Sequence, residues 1–450
     1  MAEEFSAGFW LSPQQRLAYR IQAPDAACLL TLTGAVDADR IRKAVEQIAS
    51  RHEILRTVFR RQTGMKLPFQ VVLDRMDLTW READLTTLDQ VARDKAMESL
   101  WNDAIAGGGS AEQQPGLKAV FIKLADNRCA LILTASALCC DAKSLELIVR
   151  ELALIYAGAV SSLSEPFRYA QFAQWQEDLF QSADDDAKKA KSFWSKQLES
   201  FSRLALPNEN ATDKTRPFAP AVVCVPLAEP QAAAVLQQKP AFLLLSAWAC
   251  VLHRLSGQSA LALGYLLDNR EYEELEHALG CFARTVPLAL KIESHFGFSD
   301  VTKQSASAVA DAIGWQEYFS PETIGVDGDL VAFAYQELIP TQKPADVEFS
   351  LARVRAVSER YKLRLVALRR GSELVLEFQY DPACFSRSAV ERIAGNYQNV
   401  LAAALARPET PVSHLPLLSD AERRQLVVDW NRTAAEYPRT ACLQELFEQQ

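Results

Sequence analysis

Apolar positions along this chain recur with two different periods. Up to about residue 160, short apolar runs alternate with stretches spaced at i, i+3, i+4 and i+7, which predicts alternating strands and helices. Leu29–Thr33 reads as a strand that Gly34 ends, and Asp37 or Asp39 caps a helix whose buried face is Ile41, Ala44, Val45 and Ile48. Thr57–Arg61 and Phe69–Leu73 predict strands around a turn at Gly64–Pro68, and Leu88–Ile105 predicts an amphipathic helix ended by the flexible run Gly107–Ser110. Leu117–Leu124 and Cys129–Ala135 are apolar strands joined by the turn Ala125–Arg128. The second leads through SALCCDAKS (Ser136–Ser144) into a helix with Leu145, Ile148, Val149, Leu152 and Ile155 on one face and Gly158 at its end. A short loop gripped between a strand and a helix is a usual place for a site, because two rigid elements hold its side chains.

From about Phe180 a second half begins. Asp184–Asp186 precedes a helix containing Trp194, Pro207–Pro220 reads as a loop, and Val222–Val225 reads as a strand. The apolar helix Ala241–Leu255 runs into the strand Ala260–Leu267. Strands at Val286–Ile292, Leu330–Gln336, Leu363–Leu368 and Leu374–Tyr380 alternate with helices near 298–312 and 386–405. Both halves mix α and β at similar size, so the expected α/β architecture is two lobes with a cleft between them. Beyond Pro408 the pattern changes: Ser419 caps a short charged helix (Asp420–Val427), and Asn431–Thr440 is polar and turn-rich. This tail reads as a linker into a further domain.

Composition narrows the picture. A length of 450 residues amounts to two or three domains at roughly 150 residues each. Apolar residues at 49% exclude disorder as the main state, and a net charge of −9 argues against a nucleic-acid partner. The longest apolar stretch, Ala241–Leu252, falls short of the ~20 residues a membrane span needs, so no membrane partner is expected. The N-terminus is acidic where a signal peptide starts positive, and nine irregularly spaced cysteines suit the reduced thiols of a cytoplasmic protein. Only five histidines occur (His52, His253, His277, His295, His414) and none is paired, so no metal site is expected.

Five ordered motifs carry a resemblance over nearly the whole chain. LSPQQRLAY (Leu11–Tyr19), RHEILRTVF (Arg51–Phe59), YAQFAQWQ (Tyr169–Gln176), LHRLSGQSALALGY (Leu252–Tyr265) and GCFARTVPLAL (Gly280–Leu290) resemble motifs of the condensation domains of non-ribosomal peptide synthetases. The tail Leu418–Pro438, with CLQELFEQQ after it, resembles the linker into an adenylation domain and that domain's first helix. The resemblance implies two chloramphenicol-acetyltransferase-like lobes in a V, residues 1–178 and 179–415, with a tunnel between them and the linker region at 416–450. It also implies peptidyl carrier proteins as partners. Their phosphopantetheine arms would enter from opposite faces as tethered substrates, with no cofactor bound directly.

The family's central motif is His-His-x-x-x-Asp-Gly. At that position this chain reads Ser136, Ala137, Leu138, Cys139, Cys140, Asp141, Ala142, so only the aspartate survives. Ala137, in place of the second histidine, can neither take a proton nor hold an amine. Heterocyclising relatives have Asp-x-x-x-x-Asp-x-x-Ser; here Asp141 and Ser144 match, but Ser136 replaces the first aspartate. Asp141 reads first as structural, with Arg56 as its implied partner and the following helix as something it caps; a general base is the alternative, disfavoured because a paired carboxylate has a lowered pKa. Ser136 and Ser144 are hydroxyl donors or, for Ser144, a helix cap. Cys139 and Cys140 read as buried inert thiols, since no histidine adjoins them to make a thiolate and His52 is a packing residue in the family.

Arg284 stands where an asparagine is common and is expected near the tunnel, where it narrows the passage, binds phosphate or forms an ion pair. His277 reads as a solvated loop residue and Trp315 as packing. Glu271, Glu273, Glu274 and Glu276 form a charge run, either a solvated face or a face for a basic partner.

Two function classes follow. The first is a carrier-protein-binding scaffold that has lost peptide-bond chemistry and recruits a trans-acting tailoring enzyme. Degenerate relatives of this kind in siderophore synthetases serve aspartate β-hydroxylases. The second is a non-standard condensing, esterifying or dehydrating enzyme that relies on positioning, with Asp141 or Ser136 as proton relay. The loss of three motif residues around one point, beside retained fold motifs, favours the scaffold.

Overall fold

The computed structural model describes residues 8–106, 116–199, 203–210, 218–324, 330–434 and 442–450. Thirteen strands occur among the described residues: β1 Ala26–Thr33, β2 Thr57–Arg60, β3 Phe69–Val72, β4 Thr79–Asp84, β5 Lys118–Ala125, β6 Arg128–Ala135, β7 Ala221–Pro226, β8 Ala260–Leu267, β9 Arg284–Lys291, β10 Val331–Glu337, β11 Glu348–Arg355, β12 Leu363–Arg370 and β13 Glu373–Tyr380. They form a five-stranded sheet in the order β11-β1-β6-β5-β4, a six-stranded sheet in the order β7-β13-β12-β10-β8-β9, and the small ribbon β2-β3. This is the mixed α/β architecture the alternating pattern predicts.

Strand β1 shows why the first sheet is sandwiched. Side chains of a strand alternate between faces. Cys28, Leu30 and Leu32 join one core with Ile41, Val45 and Ile48 of the Ala38–Arg51 helix and Leu145, Ile148 and Leu152 of the Ala142–Tyr156 helix. Ala27 and Leu29 face the opposite way, into a smaller core with Trp101 of the Gln90–Ala106 helix. In the second half, the Pro240–Ser256 helix is buried over the unbroken stretch Leu243–His253, and Gly257 ends it in the left-handed conformation (φ 71°) that a side chain disfavours.

The two halves are not separate. Strand β11 lies in sequence beyond residue 179, yet it pairs antiparallel with β1 and completes the first sheet. Residues 179–415 therefore do not make up the second lobe alone. The physical reason is the free edge of β1: β11 satisfies its backbone groups and buries Phe349 and Leu351 in the first core. The segment Leu275–Phe282 likewise sits in the first core, with Leu275, Leu279 and Phe282 packed among its side chains. The charged helix after Ser419 is present, with Ser419 as its cap. Gly107–Ser110, part of Pro207–Pro220 and most of Asn431–Thr440 lie outside the described residues.

Candidate active-site cavity

Strand β6 ends at Ala135, and Asp141 opens the Ala142–Tyr156 helix as its N-cap, its Oδ1 accepting from the Ser144 amide at 2.8 Å. The intervening turn is closed by the Cys139 and Cys140 amides donating to the Ser136 carbonyl at 2.8 and 3.0 Å. The loop is anchored from behind, because Gln15 Nε2 donates to the Leu138 carbonyl at 3.0 Å.

Asp141 is buried, and its partner is Arg270. Arg270 Nη1 donates to Oδ2 and Nη2 to Oδ1, both at 2.9 Å. Oδ2 also accepts from the Phe282 and Ala283 amides at 3.0 Å each. The remaining Arg270 donors reach the Ala278 and Asp268 carbonyls and Ser144 Oγ, and its guanidinium stacks 4.5 Å from the Phe282 ring centroid. Burial alone would raise the Asp141 pKa, but the Arg270 charge and hydrogen bonds and the Ser144 contacts outweigh it and hold the carboxyl below its usual range. Asp141 is thus a fixed anion and a poor base.

The expectation that Arg56 pairs with Asp141 is corrected. Arg56 Nη1 instead donates to the carbonyls of Leu73 and Asp74 beside the β2–β3 ribbon. Arg270 lies ten residues before Gly280, next to the charge run Glu271–Glu276, and chain folding alone brings it to the site. Ser144 is not the helix cap either; it sits at the third helical position, with its hydroxyl 2.8 Å from Asp141 Oδ1 and 2.9 Å from the Gly280 carbonyl, and accepts from the Gly280 amide at 3.0 Å.

The sequence motifs converge on this seam. Tyr169 Oη lies 2.7 Å from Ser12 Oγ and donates to the Cys281 carbonyl at 2.7 Å. Gly280 packs so tightly that a Cβ there would stand 2.0 Å from Tyr169 Cδ2. Glycine is required by that contact.

A cavity of about 360 Å³ opens between the halves at this seam. Ala137, Cys140, Asp141 and Ala142 border it, as do Lys143 and Glu146 of the following helix. Across it stand Asp268, Glu337, Glu377 and Arg364 from the second half. Ser136, Ser144, Arg56 and Arg284 do not border it. Arg284 was expected at the tunnel, but it is wholly buried: Ala283 faces the cavity, and the next side chain of the extended chain points away, donating to the Gln316 and Phe319 carbonyls. Burial brings its pKa down to about 10.

No histidine borders the cavity. His52 is buried with its Nε2 3.0 Å from Glu151, His253 Nδ1 meets the Gln258 carbonyl at 2.7 Å, and His277 is exposed. Burial pushes the Cys139 and Cys140 thiols well above their ordinary range, so neither is a ready thiolate. Trp315 packs on the second core, its carbonyl accepting from Trp194 Nε1. Glu271, Glu273, Glu274 and Glu276 are exposed.

Two carboxyls of the cavity are unusual, and both escape sequence reasoning. Glu146 is 3% exposed, and desolvation raises its pKa to about 7. Its nearest cation is Lys143, 3.5 Å away. Burial also raises Glu377, to which Gln379 Nε2 donates at 2.9 Å. In the sequence Glu146 reads as one more charge of a mixed helix, with Lys143 three residues before it and Arg150 four after. Arg364 is tied to Glu359 at 3.1 Å and to Gln379. Among the described residues no group of three or more His, Cys, Asp or Glu could hold a metal ion.

A second cavity of about 620 Å³ shares Val354, Glu377 and Gln379 with the first. No single helix among the described residues is long and apolar enough to cross a membrane.

Comparison with known proteins matches residues 25–427 to the family described as the condensation domain. The chain is 28% identical over 447 residues to chondramide synthase cmdD of Chondromyces crocatus, covering 93% of this chain and 11% of the synthase. It is 28% identical over 446 residues to tyrocidine synthase 3 of Brevibacillus parabrevis, covering 93% of this chain and 6% of that protein. The chain thus spans about a tenth or less of these relatives.

Among solved structures, the first condensation domain of the CDA synthetase superposes with a TM-score of 0.75 at 16% identity, covering 92% of this chain and all of that one. The X-domain in its complex with OxyB from teicoplanin biosynthesis gives 0.73 at 20%, covering 91% and 96%. SgcC5 of Streptomyces globisporus gives 0.74 at 20%, covering 89% and 99%.

Proposed function

On the premise that the chain belongs to the condensation-domain family, as the match over residues 25–427 establishes, we propose that it is a domain of a non-ribosomal peptide synthetase that no longer joins substrates by imidazole chemistry. It receives carrier-tethered substrates at the cavity between its halves and presents them to a trans-acting tailoring enzyme such as a hydroxylase. One observation carries this reading: the wall of the cavity at the family's histidine position is the methyl group of Ala137, and no imidazole borders the cavity. The surviving aspartate is a buried structural anion clamped by Arg270, so it offers no replacement base.

The wall shared by the two cavities supports a passage for phosphopantetheine arms, and the relatives' synthase context supports carrier proteins and an adenylation domain as neighbours. Likeness to the X-domain, a fold solved with OxyB bound, supports recruitment. A rigid two-sheet frame with a carrier surface needs only a complementary patch of roughly 600–1,000 Å² on its side to take a second partner. The test is gel filtration and calorimetry of the purified domain with aminoacyl-loaded carrier protein and the tailoring enzymes encoded beside it. A ternary complex at micromolar concentration is expected; its absence with every such enzyme contradicts the reading.

A further inference from the structure

The cavity between the halves is unevenly charged. Asp141, Glu146, Asp268, Glu337 and Glu377 border it, against Lys143 and Arg364 alone. Three of these seven charges are already matched. Asp141 is held by Arg270, Glu337 by Arg369 at 3.0 Å, and Arg364 is committed to Glu359 and Gln379. Asp268, Glu377 and Glu146 lack a close ion pair among the described residues, and Glu146 is the one of the three whose residue is buried. Its side chain is 4% exposed, and its Oε2 stands 3.5 Å from a Lys143 ammonium that is 35% exposed. A desolvated carboxyl with one distant, solvated cation is an incomplete ion pair.

The rest of its surroundings supply one cation, Arg270, and it is committed elsewhere. From β1 the facing titratable group is the Cys28 thiol, Asp141 adds a like charge, and Arg270 is already bidentate on Asp141. Burial is the main cause that raises the Glu146 carboxyl to about 7; the Asp141 charge adds to it, and Lys143 and Arg270 only partly oppose it.

We propose that Glu146 is a positioning residue that makes this cavity selective for a cationic substrate group, the protonated amine of a carrier-tethered aminoacyl unit. The proposal rests on the reading that such substrates enter here. The ammonium completes the pair that Lys143 leaves open, and the apolar wall at Ala137 and Cys140 makes Glu146 its anchor. The amine is either the α-amine or an amine at the end of the side chain, since both present the same charge and donors.

The experiment is calorimetric titration at pH 8 of the protein and of Glu146→Gln with three pantetheine amides: glycyl, with a free α-amine; Nα-acetyllysyl, with a side-chain amine; and N-acetylglycyl, with none. At least one amine probe is expected to bind about tenfold more tightly than N-acetylglycyl, and that preference is expected to fall to within about threefold in Glu146→Gln. Which amine probe shows it identifies the source. Equal binding of all three probes, no binding by any, or a preference that survives Glu146→Gln overturns the proposal. Should Glu146→Gln fail to fold, the unaltered protein still decides. Ammonium binding at pH 7 must release a proton from Glu146, read as an enthalpy that varies with buffer ionisation heat, and a buffer-independent enthalpy overturns it. Amide formation from loaded carriers would refute the scaffold reading and leave this binding result standing, so the two failures are distinguishable.

Discussion

Asp141 and Arg270, 129 residues apart in sequence, meet as a bidentate ion pair with both contacts at 2.9 Å and neither side chain more than 4% exposed. The pair pins the second half of the chain to the strand–helix junction of the first. Removing one partner leaves the other charge buried and uncompensated, which typically costs about 3–5 kcal/mol. Asp141→Ala is therefore expected to lower unfolding stability by that amount, and Asp141→Leu with Arg270→Met to lose much less than the sum of the single changes. Urea melts of the four proteins check this; additive losses would show that the pair is not coupled.

Because the Asp141 pKa is depressed in the folded protein, its contribution is present above the unfolded value near 4 and fades as pH falls through the lower folded value. Glu146 has the opposite sign. Its folded pKa of about 7 lies above the unfolded 4.5, so between those values the native state binds more protons and stability falls as pH rises. Glu146→Gln is expected to flatten that slope and to raise stability above pH 7 by up to about 3 kcal/mol. Chemical melts from pH 4.5 to 8 read it directly, and an unchanged slope would mean the Glu146 carboxyl is not desolvated.

Thiol chemistry offers an independent check on the site. Seven of the nine cysteines are buried, including Cys139 and Cys140, and only Cys224 and Cys442 are exposed. A thiol reagent at pH 8 should modify two groups in the native protein and nine in denaturant. Rapid native labelling of Cys140 would reveal the reactive thiolate that burial is expected to suppress.

Gly280 tests the seam from another side. A methyl group there would collide with the Tyr169 ring, itself fixed between Ser12 and the Cys281 carbonyl. Gly280→Ala should therefore cost about 1–3 kcal/mol by overpacking. Gly371→Ala, where a Cβ meets nothing within 4 Å but φ is 60°, serves as a comparison in which backbone strain alone acts. Thermal melts separate the two, and a Gly280→Ala protein as stable as the unaltered one would contradict the packing.

Local pattern made much of this fold legible. The face Ile41, Ala44, Val45, Ile48 and the face from Leu145 to Ile155 are both buried as their spacing requires. Strand β11 was not legible, because Arg353 and Arg355 interrupt its alternation and its apolar partners lie some 320 residues away, on β1. The candidate site divides the same way. The junction Ser136–Ser144 was visible as a strand meeting a helix, and Ala137 was visible there as a side chain without an imidazole. Arg270 was invisible, since an arginine in an acidic polar stretch looks solvated until folding buries it. Glu146 was hidden among the charges of a mixed helix, and Arg284 was misplaced because one residue of register decides which way a side chain faces.

A domain without an imidazole at this cavity is expected to lack the proton chemistry of amide formation. That reading is tested most directly by a single-turnover assay in which the domain is mixed with a donor carrier bearing a labelled aminoacyl thioester and an acceptor carrier bearing a free aminoacyl group. Mass spectrometry of the carriers should show the label remaining on the donor at the rate of spontaneous hydrolysis, with no dipeptidyl acceptor. Domain-dependent transfer of label to the acceptor, lost on unfolding, would contradict that reading, whether or not it persists in Asp141→Asn.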